Sequence, residues 1–251
     1  MQDSEVSGTP GTNGPPAPGE KQRWSSPEPA PASGEPRAIP GPVVPRILAI
    51  SPPRTGPWLG QLPELAALGV PALLVRLVEE PGALEAVLAA AADTPLQVLV
   101  RPVGPADMTT ARDAGVGLHL PDRPYTAHPP AGAPGSLHSR SCHDAAGVRA
   151  AAAAGFELCT LAPIFPPGSK PDDTRQTIGI PGLSVACAGV PGFPVLALGG
   201  VAPHRVAPLL AAGAHGIAGI TGFFAGLRLN HAGAAGLVHA VSACHPAARS
   251  Q

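Results

Sequence analysis

The chain has 251 residues, a formal net charge of −1 and 3% aromatic residues. So even a charge balance excludes a general nucleic-acid-binding surface, and so few rings exclude a stacking platform along a single strand. No apolar run reaches the roughly 18–20 residues of a membrane span, because Gly, Pro or a charge interrupts each one.

Residues 1–44 open the chain with Pro, Gly, Ser and charge and almost no Val, Ile, Leu or Phe. Such a segment cannot bury enough apolar surface to offset its ordering entropy, so it is expected to be a disordered tail. It holds no apolar core of the kind a secretory signal needs. Residues 45–245 are then expected to form one domain, with 246–251 as a short C-terminal tail; roughly 200 residues suffice for one sizeable core.

Within that domain eight short apolar runs read as strands: 46–50, 72–76, 96–100, 117–120, 136–142, 158–162, 194–198 and 216–220. Each is nearly continuous in apolar residues, as expected of parallel strands covered on both faces. Ala/Leu-rich stretches between them read as helices, among them "PGALEAVLAAAAD", "HDAAGVRAAAAAG" and "APHRVAPLLAAGAHG". Several close on the Ala-Gly stop that caps a helix before the next strand. The connection 121–135 is rich in Pro and Gly and is expected to hold little or no helix. Eight β-α units predict an α/β protein with a (β/α)8 TIM barrel. The competing open doubly wound sheet fits less well, because no GxGxxG follows the first strand.

A barrel of this kind does its chemistry where the strands end. The residues to read there are Arg76, Arg101, His119, Ser141, His143, the loop 163–170, the pair Gly199 and Gly200, and the pair Thr221 and Gly222. Glycines let the backbone approach an anion, and helix N-termini aim N–H groups at it. Gly199 and Gly200, before a helix with Pro203 near its start, and Thr221 and Gly222, before another expected helix, are therefore read as a phosphate cup. The alternative for Gly199 and Gly200 is a tight turn and nothing more.

Arg76 ends an apolar strand and needs an anion there, either a ligand or an internal partner such as Glu79 or Glu80. Lys170 is read as closing over a substrate phosphate or carboxylate, against a plain solvated lysine. Asp172 and Asp173 are adjacent, and adjacent residues of an extended loop rarely converge on one ion, so they are read as solvated. His119 is read as structural. Strand alternation turns Cys142 and His138 away from the face that carries His143. The remaining histidines, His204, His215, His231, His239 and His245, show no metal-ligand spacing. The four cysteines, Cys142, Cys159, Cys187 and Cys244, form no CxxC pair. They are expected to be free thiols of a reducing cytoplasm.

Three motifs carry a resemblance. "APIFPPGSKPDDTRQTIGIPGL", "PVLALGGVAPHRVAPLLAAGAHGIAGITGFF" and "GVGLHLPD", in their order here, resemble the thiamine phosphate synthase/TenI superfamily over roughly residues 46–228. That resemblance implies a TIM barrel and a small thiazole phosphate substrate, and it leaves the oligomeric state open, a homo-oligomer included. It also implies one of two activities. Synthases couple a hydroxymethylpyrimidine diphosphate to a thiazole phosphate with Mg²⁺; TenI-type tautomerases move a proton within a thiazole carboxylate phosphate without a metal.

The synthase pattern after the second strand, Q-x-R-x-K, is here Leu74, Arg76 and Val78; its Asn-Asp-Arg after the third is replaced by Arg101 and Pro102; and after the fourth stand Pro121 and Asp122. The fifth strand, "SRSCHD", is similar to the TenI pattern and carries that family's catalytic histidine over to His143. A histidine titrates near neutral pH and can take and return a proton. The expectation is therefore a thiazole tautomerase-like isomerase with His143 as proton shuttle. Arg76, Ser141, Lys170 and Arg101 would bind its substrate, Gly199, Gly200, Thr221 and Gly222 would hold the phosphate, and neither a metal nor another cofactor would take part. The alternatives are a thiamine phosphate synthase with an altered metal site, for which Mg²⁺ would return as cofactor, and a non-catalytic protein that binds a phosphorylated ligand.

Overall fold

A computed structural model describes residues 42–76, 80–122, 128–129, 136–166 and 176–245, all of one compact unit. The expected tails 1–44 and 246–251 lie outside the described residues apart from 42–44. Eight parallel strands of four residues each close into a barrel in sequence order: β1 Ile47–Ile50, β2 Ala72–Val75, β3 Gln97–Val100, β4 Gly117–Leu120, β5 Ser139–Cys142, β6 Leu158–Leu161, β7 Val195–Leu198 and β8 Gly216–Gly219. Closure is made by β1 against β8, with Leu48 opposite Ala218. The predicted (β/α)8 barrel is thus the fold.

Side chains alternate between two buried layers. Leu48, Ile50, Ala72, Leu74, Leu99, Leu137, Leu158, Leu196 and Ala218 fill the barrel interior. Their neighbours, such as Ala49, Leu73, Val75, Val100, Cys142 and Ala197, face the helices. Both layers need apolar residues, so the strands read as unbroken apolar runs.

The helices are α1 Leu62–Ala67, after a 3-10 turn Pro57–Gln61, then α2 Ala83–Ala91, α3 Pro105–Asp113, α4 Ala145–Ala153, α5 Gly179–Ala188, α6 Pro203–Ala211 and α7 His231–Cys244. Their starts follow capping chemistry. The Asp144 carboxylate accepts from Gly147 N–H at the head of α4, and Asn230 accepts from Gly233 N–H at the head of α7. Gly155 and Gly213 follow α4 and α6 with φ of 86° and 100°, which the turn into the next strand requires. No helix assigned among the described residues falls between β4 and β5, as expected from the Pro/Gly content.

Two expectations need correction. The fifth strand begins at Ser139, three residues later than the apolar run suggested. Its approach is committed otherwise: the His138 N–H donates to Glu157, and its ring accepts from Leu118 N–H. After β8 the chain does not enter a helix. It turns through 220–223 and makes a two-stranded hairpin, β9 Phe224–Ala225 with β10 Arg228–Leu229, before α7. The hairpin is fastened to the 3-10 turn: Trp58 packs edge-on against Phe224 at 5.8 Å, Trp58 N–H donates to Leu227 O, and Leu229 N–H donates to Gln61.

Cys142 and Cys159 are buried, Cys187 is half-buried and Cys244 is exposed, all as free thiols. The Cys142 hydrogen bond and burial push the Cys159 thiol up, which keeps it an unreactive thiol. No described helix is long and apolar enough to cross a membrane.

Closure leaves no room at some interior positions. A Cβ at Gly117 would collide with the Leu137 carbonyl, a backbone atom of the neighbouring strand's approach. Gly117→Ala is therefore expected to cost about 1–3 kcal/mol of stability, as overpacking does. Thermal unfolding measures it, and an unchanged Tm would contradict this packing.

Candidate active site

A four-residue strand has two inward positions. The next inward position lies just past the strand end, and there the chain places Arg76 after β2, Arg101 after β3, Pro121 after β4, His143 after β5 and Ala162 after β6, each one residue on, and Gly200 two residues past β7. Below them, at the last inward position of β4 and both inward positions of β5, sits a polar group. His119 is buried, and its Nδ1 lies 2.7 Å from Ser139 Oγ and its Nε2 2.8 Å from Ser141 Oγ. Burial first, and the Arg101 charge second, push His119 down to about 3, so the ring is neutral. A neutral imidazole has one donor and one acceptor nitrogen, so it fixes the two hydroxyls in complementary roles. Ser139 is fully buried, while Ser141 is half-buried and reaches the mouth.

Arg76 is half-buried with its Nε buried and unpaired. Burial and the neighbouring Arg101 charge both lower its hold on its proton. Its backbone N–H donates to the buried Ser51 hydroxyl, and Arg101 N–H donates to Val75 O, so both residues are held at the rim by their backbones. The nearby acids are engaged elsewhere. Glu80 accepts from Thr55 Oγ1 at 2.6 Å and Thr55 N–H at 3.2 Å, and these bonds hold its carboxyl below the ordinary value. Asp107 accepts from Val103 N–H at 2.7 Å. Asp122 pairs with Arg140 at 3.2 Å on the outer side of the barrel wall. Glu79, the other partner considered for Arg76, lies outside the described residues.

His143 is exposed, with Nδ1 2.8 Å from Ala162 O. A carbonyl only accepts, so Nδ1 carries the proton of that bond and Nε2 is turned to other partners. Cys142, one residue earlier, is buried in the outer layer, as alternation predicted.

Across the ring, Gly199 and Gly200 have φ of 103° and 60°, and their turn is clasped by the loop after β6. Ile164 N–H donates to Leu198 O and Phe165 N–H to Gly199 O. A Cβ at Gly200 would lie 2.7 Å from Pro166 O and 2.8 Å from Phe165 Cβ, so only glycine fits. Arg205, in the first turn of α6, donates to Gly200 O at 2.7 Å and stacks 4.4 Å over the Phe165 ring. Sequence reasoning missed this arginine, because its ring partner lies 40 positions away in the chain and only the fold joins them. It missed Ser139 too, although its period-2 spacing from Ser141 was readable.

Thr221 is exposed and Gly222 half-buried in the turn after β8. Gly222 has a packing duty: a Cβ there would lie 2.5 Å from Leu237 Cδ1 of α7. The helix expected to begin beside this pair starts at His231, so no helix N-terminus backs it. Lys170, Asp172 and Asp173 lie outside the described residues.

A hard divalent ion such as Mg²⁺ needs several oxygen ligands. Among the described residues no cluster of three or more His, Cys, Asp or Glu converges. Where the resemblance puts a metal-binding aspartate, the rim carries Arg101 and Pro102, and Asp122 is spent on Arg140. The described residues of this rim do not by themselves make a Mg²⁺ site.

Comparison with known proteins adds the family. The thiamine monophosphate synthase family matches residues 106–223, the stretch from α3 to the turn after β8. A thiamine-phosphate synthase of Bordetella avium is 35% identical over 124 residues, 47% of this chain and 57% of that protein. A thiamine phosphate pyrophosphorylase structure from Pyrococcus furiosus superposes with a TM-score of 0.61 at 19% identity, over 80% of this chain and 96% of that one. Over residues 106–223 the chain is similar to the thiamine monophosphate synthase family, and its barrel has the fold of a thiamine phosphate pyrophosphorylase. The match spans little more than half the length of the Bordetella synthase, and 41% of a synthase from Methanoculleus marisnigri that is 39% identical over 88 residues. At its low identity the structural likeness shows the fold alone.

The expectation of a tautomerase-like isomerase is corrected by these relatives, whose names point to thiamine-phosphate synthesis and so to a transferase. The structure supplies a physical reason for the misreading. The strand-five histidine taken as the proton shuttle, His143, has a structural duty in holding the Ala162 carbonyl, and His119, read as structural, grips two serines.

The His119 pair of bonds has a signature in stability. The unfolded chain protonates histidine near the ordinary 6.5, while the folded ring resists to about 3. Its contribution is thus complete above pH 6.5 and is lost as pH falls from there toward 3. His119→Gln is expected to flatten the fall of Tm across that window; an identical pH slope in variant and wild type would contradict the assignment.

Proposed function

We propose that the chain is a thiamine-phosphate synthase-type transferase that joins a hydroxymethylpyrimidine diphosphate to a thiazole phosphate and releases diphosphate. The observation that carries this reading is the pair of anion-receptive edges on opposite sides of one barrel mouth. One is the Arg76 and Arg101 rim on β2 and β3; the other is the Gly199–Gly200 turn on β7, four strands from β3 in an eight-strand ring. Two phosphorylated substrates need two such edges, and the names of the curated relatives agree.

In this reading the diphosphate lies against Arg76 and Arg101, whose guanidiniums suit planar, multi-point contact with phosphate oxygens. The thiazole phosphate lies at Gly199 and Gly200, with Thr221 and Gly222 beside it. Arg205 stiffens that turn from behind through Gly200 O and Phe165. The Ser141 hydroxyl, oriented by neutral His119, sits between the two edges.

The coupling breaks the C–O bond between the pyrimidine methylene and the diphosphate, and the electron pair departs with the oxygen. The thiazole nitrogen lone pair forms the new C–N bond. No proton moves in this exchange, so it asks nothing of His143 as an acid or base. What it asks of the protein is alignment of the two partners and stabilisation of charge on the departing oxygen. Free thiols at all four cysteines suit a reducing cytoplasm as its location.

The test is formation of thiamine phosphate from the two substrates by the full chain. Arg76→Gln is expected to lower kcat/KM by about 10- to 100-fold, the equivalent of the roughly 1.5–3 kcal/mol of a hydrogen bond to a charged group. No product from wild type, with or without added Mg²⁺, would sink the proposal.

A further inference from the structure

The rim at the ends of β2, β3 and β4 carries two positive charges and, among the described residues, no carboxylate paired with them. Arg76 and Arg101 are close enough for the charge of one to weaken the other's hold on its proton. Arg76 Nε is buried with no partner. Among the described acids, Glu80 and Asp107 line a cleft with Arg101 but accept hydrogen bonds from Thr55 and from Val103 N–H, and Asp122 is paired with Arg140. The one titratable ring below the rim, His119, is neutral and adds no counter-charge. A half-buried Arg76 guanidinium with an unpaired Nε, beside the exposed and like-charged Arg101, is unfavourable without an anion, and an anionic ligand would supply the missing charge.

We infer that Arg76 and Arg101 together take the place of a divalent cation, so that this site binds and releases a diphosphate group without metal. The inference rests on the transferase reading and specifies how its leaving group is neutralised. A divalent cation at this rim would meet two like charges and, among the described residues, no converging set of three or more His, Cys, Asp or Glu, whereas a diphosphate would meet the N–H donors of two planar guanidiniums. As the methylene C–O bond breaks, the charge that grows on the diphosphate oxygen is met by these fixed donors, and no oxidation, reduction or extra proton is required.

The experiment is calorimetric titration of the full chain with inorganic pyrophosphate, in EDTA and in Mg²⁺, with thiamine phosphate formation measured on the same preparations. Pyrophosphate is expected to bind in EDTA. Arg76→Gln and Arg101→Gln are each expected to weaken that binding by about tenfold or more, with Arg101→Lys retaining part of it because it keeps the charge and loses the fork. Wild-type binding that appears only with Mg²⁺ would overturn the inference, as would Arg101→Gln binding as tightly as wild type in EDTA. Product formation that demands Mg²⁺, with no pyrophosphate bound in EDTA, overturns the inference and leaves the transferase reading standing. Pyrophosphate bound in EDTA by both arginines, with no product under any condition, upholds the metal-free anion site and overturns the transferase reading instead.

Discussion

The mouth of this protein is set by the two-residue alternation of its short strands. Each strand offers two inward side chains, and these fill the interior with Leu48, Ile50, Leu74, Leu99, Leu158 and Leu196. The third inward position has left the ladder and meets the solvent. Whatever the sequence puts there becomes the working surface, and here it puts Arg76, Arg101, His143 and Gly200. A slip of one residue in any strand would turn an arginine into the helix layer and a leucine into the mouth, so the register of the barrel and the chemistry of its rim are one constraint.

The polar layer beneath the rim obeys the same logic. At the last inward position of β4 a histidine replaces an aliphatic residue, and β5 answers with serines at both of its inward positions. A single buried polar group would be costly, but three that satisfy one another are tolerated. Their reward is a hydroxyl, Ser141, delivered to the mouth in a fixed orientation. The opposite edge is built from close approach rather than charge. Gly199 and Gly200 can turn there only because neither carries a Cβ against Pro163, Phe165 and Pro166.

Most of the fold was legible in the sequence, because strands buried on both faces cannot hide: eight apolar runs became eight strands with boundaries shifted by a residue or so, and by three at β5. The hairpin after β8 was not. "FFAGLRLN" resembles a helix start after a glycine, and only the docking of Phe224 on Trp58, far away in the chain, makes it a hairpin. The rim residues were legible from their place past each strand. Their relations were not: the unpaired Nε of Arg76, the grip of His119 on two serines and the stacking of Arg205 on Phe165 all join residues from separate β-α units. The choice of reaction failed for a related reason. His143 was read as a proton shuttle from the match of its strand to the TenI pattern, whereas the relatives' names point to a transferase; its Nδ1 is bonded to the Ala162 carbonyl after β6.

The proposed diphosphate site rests on how Arg76 and Arg101 meet negative charge at the rim. A crystal structure of the full chain with pyrophosphate, grown without divalent ions, examines that directly. The account predicts the anion bridging the Arg76 and Arg101 guanidiniums, with the Ser141 hydroxyl facing it. Pyrophosphate found only at the Gly199–Gly200 turn, with the two arginines apart and turned to protein carboxylates, would contradict it.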